Sequence, residues 1–271
     1  MKVRLALLNM YNGIPNLGMQ NIRDILSIYP ELEIKEFDVR ARCELPGMDY
    51  DIYICTGGPG SPLEGDGVWD RAFFHLMDRL WNHNQGYEKK KYVFFICHSY
   101  QMICHYLSLG SVIYRRKESF GVFPVHLTEE GKKEPYFKGL SSPFYAADFR
   151  MWQLIQPNLE RIKRLNCKIL AMEKIRPHIP LERAIMAMRF SNEWFGVQFH
   201  PEADPDGMFY HFDTSEKKEM AIAKKGEGKY KKMIEHIKDP NRLLRTYDTI
   251  LPSFMVDAIA KVKQQAETEI Q

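Results

Sequence analysis

The stretch Tyr92-Val93-Phe94-Phe95-Ile96-Cys97-His98-Ser99-Tyr100-Gln101 decides how this chain is read. Five apolar residues in succession suit a strand buried on both faces. After Cys97 the spacing becomes helical through Met102, Ile103, Tyr106 and Leu107, and Gly110 is placed to end the helix. A strand that runs straight into a helix sets Cys97 at the helix N-terminus. There the free N–H groups and partial positive charge favour a thiolate, and the His98 N–H can meet an oxyanion. Two readings of Cys97 stand side by side: a nucleophile, or a buried small apolar side chain of the kind expected for Cys55 and Cys104.

The same alternation extends in both directions. Val3–Asn9 reads as a buried strand, followed by helical spacing through Leu17, Ile22, Ile25 and Leu26. Residues 32–39 and 50–56 give further strands, and a helix is expected over about 68–81. Strands alternating with helices imply a parallel sheet covered on both faces. Beyond Gly110 come short alternating runs at 122–127, 144–147, 168–173, 184–189 and 194–199, which suit an antiparallel or mixed extension. From Ser215 the chain is charged and helical, with a last helix over 251–264. The expected fold is a single-domain α/β three-layer sandwich with a mixed, mostly parallel sheet. Its core is expected over residues 1–212, with 213–271 as a C-terminal helical extension packed on the same domain.

At 271 residues and 45% hydrophobic, the chain can bury one large core. Its 38 basic and 35 acidic residues nearly balance, so charge calls for neither a nucleic acid nor a membrane partner. No apolar run approaches the roughly 20 residues needed to cross a bilayer, and no leader pattern opens the chain; a cytoplasmic protein is expected. Five scattered cysteines, without metal-type pairs, argue against a disulfide framework and against a zinc site. The lysines from Lys217 to Lys232 read as the solvated face of a helix.

Two more segments carry chemistry. Phe195-Gly196-Val197-Gln198-Phe199-His200-Pro201-Glu202 places an imidazole at the end of a strand with a carboxylate two residues on, which suits a base and the acid that orients it. A lone His-Pro-Glu is equally a turn, and it gains weight only beside the cysteine. Thr56-Gly57-Gly58-Pro59-Gly60 follows a strand and is either a tight turn or a loop whose backbone approaches a ligand. It fits neither a Rossmann fingerprint nor a P-loop, so no nucleotide cofactor is expected.

Together these segments resemble the class I (triad) glutamine amidotransferase family over about residues 3–212. The family carries a Gly-Gly-Pro loop, a nucleophile elbow Gly-x-Cys-x-Gly-x-Gln and a Phe-His-Pro-Glu segment. The resemblance implies a flavodoxin-like fold, with Cys97 as nucleophile, His200 as base and Glu202 as its orienting acid. It implies oxyanion N–H groups from Gly58 and His98, and a substrate-holding role for Gln101. It also implies cleavage of a side-chain amide through a thioester, with ammonia passed to a synthase domain or subunit. Departures accompany the matches. Phe95 replaces the first elbow glycine, Ser99 and Tyr100 follow the cysteine, and Ser119 stands for a glutamate in Ser119–Val125. Phe95 and Tyr100 are expected to crowd the pocket. Asp148-Phe149-Arg150-Met151-Trp152 occupies the family's Ser-His-x-Asp region, where Arg150 either pairs with a ligand carboxylate or makes an ordinary ion pair.

Three functions follow. The first is a glutaminase-type enzyme acting on glutamine with a synthase partner. The second is an independent hydrolase of γ-glutamyl compounds, and the third is a non-catalytic binding protein on the same fold.

Overall fold

The computed structural model describes residues 2–175 and 182–268. Its first half runs β1 (Val3–Asn9), α1 (Leu17–Ser27), β2 (Leu32–Asp38), α2 (Val39–Arg42), β3 (Ile52–Cys55), α3 (Trp69–Gly86), β4 (Tyr92–Ile96) and α4 (His98–Tyr106). The second half continues with β5 (Ser111–Leu127), α5 (Glu129–Lys132), β6 (Phe144–Ile155), α6 (Leu159–Arg164), β7 (Lys168–Glu173), β8 (Ile185–Arg189) and β9 (Trp194–Val197). Four helices follow: α7 (Pro205–Asp213), α8 (Ser215–Lys225), α9 (Glu227–Lys238) and α10 (Leu243–Thr268).

The strands form one mixed sheet in the order β2-β1-β3-β4-β9-β8-β7-β5-β6. Pairs from β2 through β9 are parallel, and those from β9 through β6 are antiparallel. Because side chains alternate along a strand, each buried strand feeds two cores. Leu5, Leu7, Ile54, Phe94 and Phe195 pack with Ile22 and Ile25 of α1 and Phe254 and Met255 of α10. Ala6, Leu8, Tyr53, Phe95 and Trp194 pack with Phe73 and Leu76 of α3 and Ile103 of α4. The result is the expected three-layer α/β sandwich. Strand β9, late in the chain, is inserted beside β4, in register from Val93↔Trp194 to Ile96↔Val197.

The structure differs from the sequence expectation in three places. The runs at 122–127 and 144–147 are ends of a long hairpin in which β5 spans 17 residues and β6 spans 12. Arg115-Arg116-Lys117-Glu118 and a register shift between Tyr114 and Ser119 interrupt its apolar alternation. Helix α10 starts at Leu243 and passes through Pro252, well before the expected start at 251. The early turns are anchored by burial of Leu243 and Ile250 and by Thr246 Oγ1 donating to Tyr145 O at 2.6 Å. Phe95 and Tyr100 do not crowd a pocket: both are fully buried in the core on the α3–α4 side. Gly196 on β9 makes the room, since a Cβ there would lie 2.9 Å from Tyr100 Cδ2 and 3.2 Å from Phe95 Cβ.

Gly196→Val is therefore expected to lower unfolding stability by about 1–3 kcal/mol through overpacking. Denaturant unfolding checks this, and an unchanged midpoint would show that the Tyr100 ring yields freely.

Candidate active site

The carboxyl ends of β1, β3, β4 and β9 converge on one cleft, as parallel sheets arrange. At its base the backbone of Cys97 adopts φ 48°, ψ −95°, a conformation that side-chain-bearing residues rarely take. Such a residue stores about 1–3 kcal/mol of strain and persists only where neighbours hold it. Cys97 N–H donates to Val197 O at 2.8 Å, and Gln101 N–H donates to Cys97 O at 3.0 Å. The Ser99 hydroxyl accepts from Ile96 N–H at 3.0 Å and donates to Cys55 O at 2.7 Å, bracing the turn from inside. A serine thus does at this position what a glycine could not.

His200 is carried past the end of β9 and fixed by its N–H donating to Ala147 O at 2.9 Å. Its Nδ1 lies 2.8 Å from Glu202 Oε1, and the ring also interacts with the Cys97 sulfur. Burial works against a charged imidazole, but the Glu202 carboxylate and the Cys97 sulfur outweigh it and raise the His200 pKa well above the ordinary histidine value. Glu202 is fully buried, and its Oε2 has no hydrogen-bond partner among the described residues. Tyr11, at the carboxyl end of β1, stands close enough that burial, Glu202 and Cys97 together raise its phenol well above its usual range.

The glycine loop backs this group. A Cβ on Gly57 would sit 2.9 Å from His200 Cε1, and one on Gly58 would sit 2.4 Å from Met10 O. Neither position admits a side chain without displacement. Thr56 Oγ1 accepts from Met10 N–H at 2.9 Å and ties the loop to the chain after β1.

Cys97, His200, Glu202, Gly58 and Tyr11 share a cleft of about 330 Å³ whose other walls are mainly apolar, including Leu17, Phe149, Met208 and Phe212. Phe149 stacks on Phe212 at 5.9 Å, so β6 and α7 close one side together. A larger depression of about 490 Å³ lies beside Tyr92 at the opposite end of β4. Its charges are spent on one another, Arg189 with Glu134 and Lys261 with Asp257.

Of the expected site residues, Cys97, His200, Glu202 and Gly58 come together in the cleft. His98 follows Cys97 in the chain, but its imidazole is buried, and desolvation together with Arg40 lowers its pKa to about 3, which keeps it neutral. The other two expected residues are engaged by other groups of the protein. Gln101 is not among the cleft residues: its Nε2 donates to Trp152 O at 2.9 Å and to Gln198 Oε1 at 3.0 Å. Arg150 is likewise not among the cleft residues, although its charge interacts with the Cys97 sulfur. Its side chain is 1% exposed, and it donates to Asp148 Oδ1 at 2.7 Å and to Trp152 O at 3.2 Å, with Glu173 at 3.7 Å. Withdrawing it to meet a ligand would strand Asp148 as a buried charge.

Sequence reasoning missed Tyr11 and Gln198. Tyr11 lies just past the end of a parallel strand, where ligands gather. Gln198 is two residues before His200, so the strand period turns both to one face. Among the described residues no group of three His, Cys, Asp or Glu side chains could hold a metal, and no helix is long and apolar enough to cross a membrane.

No curated protein sequence matches the chain. Among solved structures, a glutamine amidotransferase from Thermotoga maritima superposes with a TM-score of 0.69 at 16% identity, over 96% of this chain and 99% of that one. A glutamine amidotransferase from Methylobacillus flagellatus gives 0.58 at 13%, covering 95% and 94%. The glutaminase domain of Trypanosoma brucei CTPS, solved with bound acivicin, gives 0.54 at 15%, covering 74% and 86%. These likenesses concern the fold. The sequence profile described as "Glutamine amidotransferase class-I" matches residues 18–214, most of the chain, and the protein therefore belongs to the class-I glutamine amidotransferase family.

Proposed function

We propose that the protein is a cysteine-dependent amidohydrolase in which Cys97 is the nucleophile, His200 the acid–base and Glu202 the group that orients and charges the imidazole. The observation that carries this reading is the part-buried His200, held at 2.8 Å by Glu202 and interacting with a cysteine sulfur on a strained strand-to-helix turn. His200 takes the thiol proton as the sulfur attacks the amide carbon, giving a tetrahedral oxyanion. Main-chain N–H groups of Gly58 and His98 are the proposed donors to that oxyanion. His200 returns its proton to the amine, the C–N bond breaks, and ammonia leaves an acyl thioester on Cys97. Water, deprotonated by His200, then cleaves the thioester to release a carboxylic acid and restore the thiol.

Family membership supports a side-chain amide of glutamine type as substrate, with ammonia delivered to a synthase partner. A second reading, an independent hydrolase of γ-glutamyl compounds, draws support from α7, because the chain's own Met208 and Phe212 wall the cleft on one side. Ammonia release from L-glutamine and from γ-glutamyl amides, with and without cell extract, separates the two. Stimulation by extract favours the partner, and undiminished turnover in its absence favours the independent enzyme.

Cys97→Ala is expected to abolish ammonia release, and a mutant retaining more than a few per cent of wild-type turnover would remove Cys97 from the mechanism. Glu202→Gln removes the charge that raises the His200 pKa, so the protonated imidazole is lost at a lower pH than in the wild type. Iodoacetamide labelling of Cys97 near pH 7 is then expected to fall by roughly tenfold for each pKa unit lost. Labelling that stays at the wild-type rate would show that Glu202 does not charge the imidazole.

A further inference from the structure

Gln198 is fully buried, and its Nε2 donates to Cys97 Sγ at 3.8 Å, the longer separation that a sulfur acceptor imposes. Its Oε1 accepts from Gln101 Nε2 at 3.0 Å, and that same nitrogen donates to Trp152 O at 2.9 Å. We propose that Trp152 O, Gln101 and Gln198 form an amide relay that dictates which end of Gln198 meets the nucleophile, making Gln198 and Gln101 positioning residues for Cys97. This proposal rests on the reading of Cys97 as nucleophile.

The direction of the relay follows from hydrogen-bond chemistry alone. A side-chain amide can be turned by half a rotation, exchanging oxygen for nitrogen, so its orientation must be argued from its partners. A main-chain carbonyl such as Trp152 O can only accept, so the Gln101 group facing it must be the NH₂. The second hydrogen of that NH₂ then points at Gln198, whose facing atom must be the oxygen. The Gln198 NH₂ is left for the sulfur. Trp152 O is itself fixed, because it also accepts from Arg150 Nη1 at 3.2 Å, and Arg150 is locked by Asp148. The buried arginine thus acts at the far end of the relay.

A donor on the sulfur favours the thiolate, and an acceptor in the same place opposes it. Gln198 thereby holds the sulfur from one side while His200 takes its proton on the other. Gln101, Gln198 and Trp152 are not among the residues that line the cleft, and the relay meets it through the Cys97 sulfur.

Iodoacetamide alkylation of Cys97, followed by peptide mass from pH 5 to 9 and normalised to the exposed Cys43, tests the relay. Gln198→Met removes the donor at similar bulk. Alkylation at pH 6.5 is expected to fall about tenfold, with the midpoint of the pH profile about one unit higher. Gln101→Glu cannot donate to Trp152 O but can accept from Gln198, which turns the Gln198 oxygen toward the sulfur. Its profile is expected to move in the same direction, although the altered residue never touches Cys97.

A Gln198→Met profile that overlays the wild type at unchanged Tm overturns the proposal. A Gln101→Glu profile that does not move overturns the relay's directional claim. Should Gln198→Met fail to fold, Gln101→Glu alone decides. Failure of the nucleophile reading looks different, because wild-type Cys97 would then react no faster than Cys43.

Discussion

The structure depends on one local constraint, the backbone of Cys97 held at positive φ between the end of β4 and the start of α4. Left to itself this turn would relax, since a side chain there is disfavoured. The fold prevents that by clamping it on several sides. The neighbouring strand β9 accepts its N–H, the Ser99 hydroxyl ties it to β3, and the first turn of α4 engages its carbonyl. The side chains around it follow from that clamp. Gly196 must be bare for Tyr100 and Phe95 to fill the core beneath the turn, and the parallel register of β4 with β9 brings His200 alongside the thiol.

The polar groups of the site gain strength from the same burial that makes them costly. A carboxylate, an imidazole and a thiol gathered behind apolar walls interact more strongly than in water, because the surrounding medium screens them less. Burial alone would keep His200 neutral, as it does His98, which lies near Arg40 and has no carboxylate partner. His200 is the more exposed of the two, yet burial opposes its charge as well, and the contrast between them comes from Glu202 and the Cys97 sulfur. The aromatic wall of Phe149 and Phe212 sustains this low-dielectric setting.

Much of this was legible in the sequence where local pattern and topology agree. Continuous apolar runs announced the parallel strands, and the meeting of Cys97 and His200 in one cleft was legible because each sits just past a strand end. Glu202 was readable through its spacing from the histidine. The partners of the Gln101 and Arg150 side chains were not legible, for a common reason. Their direction is set by partners distant in sequence, the Trp152 carbonyl and Asp148 together with Glu173, and no spacing reveals which way a buried polar group turns. The hairpin of β5 and β6 was only partly seen, because charged residues break its alternation at the register shift. The start of α10 was placed late because Pro252 looks like a first-turn residue, whereas packing carries the helix through it.

The position of β9 has a consequence for biosynthesis. The strand that completes the centre of the sheet is the last of the described strands in the chain, and it brings the carbonyl that accepts the Cys97 N–H and the residues that lead to His200. A nascent chain that has emerged only through β8 already contains the cysteine, Ser99 and α4 but lacks the Val197 carbonyl that accepts the Cys97 N–H, and it lacks His200. Until then β4 and β8 lack the neighbour that joins the parallel half to the antiparallel half, and each presents an open edge. The cysteine-histidine cleft and closure of the sheet therefore arrive in one event, late in synthesis.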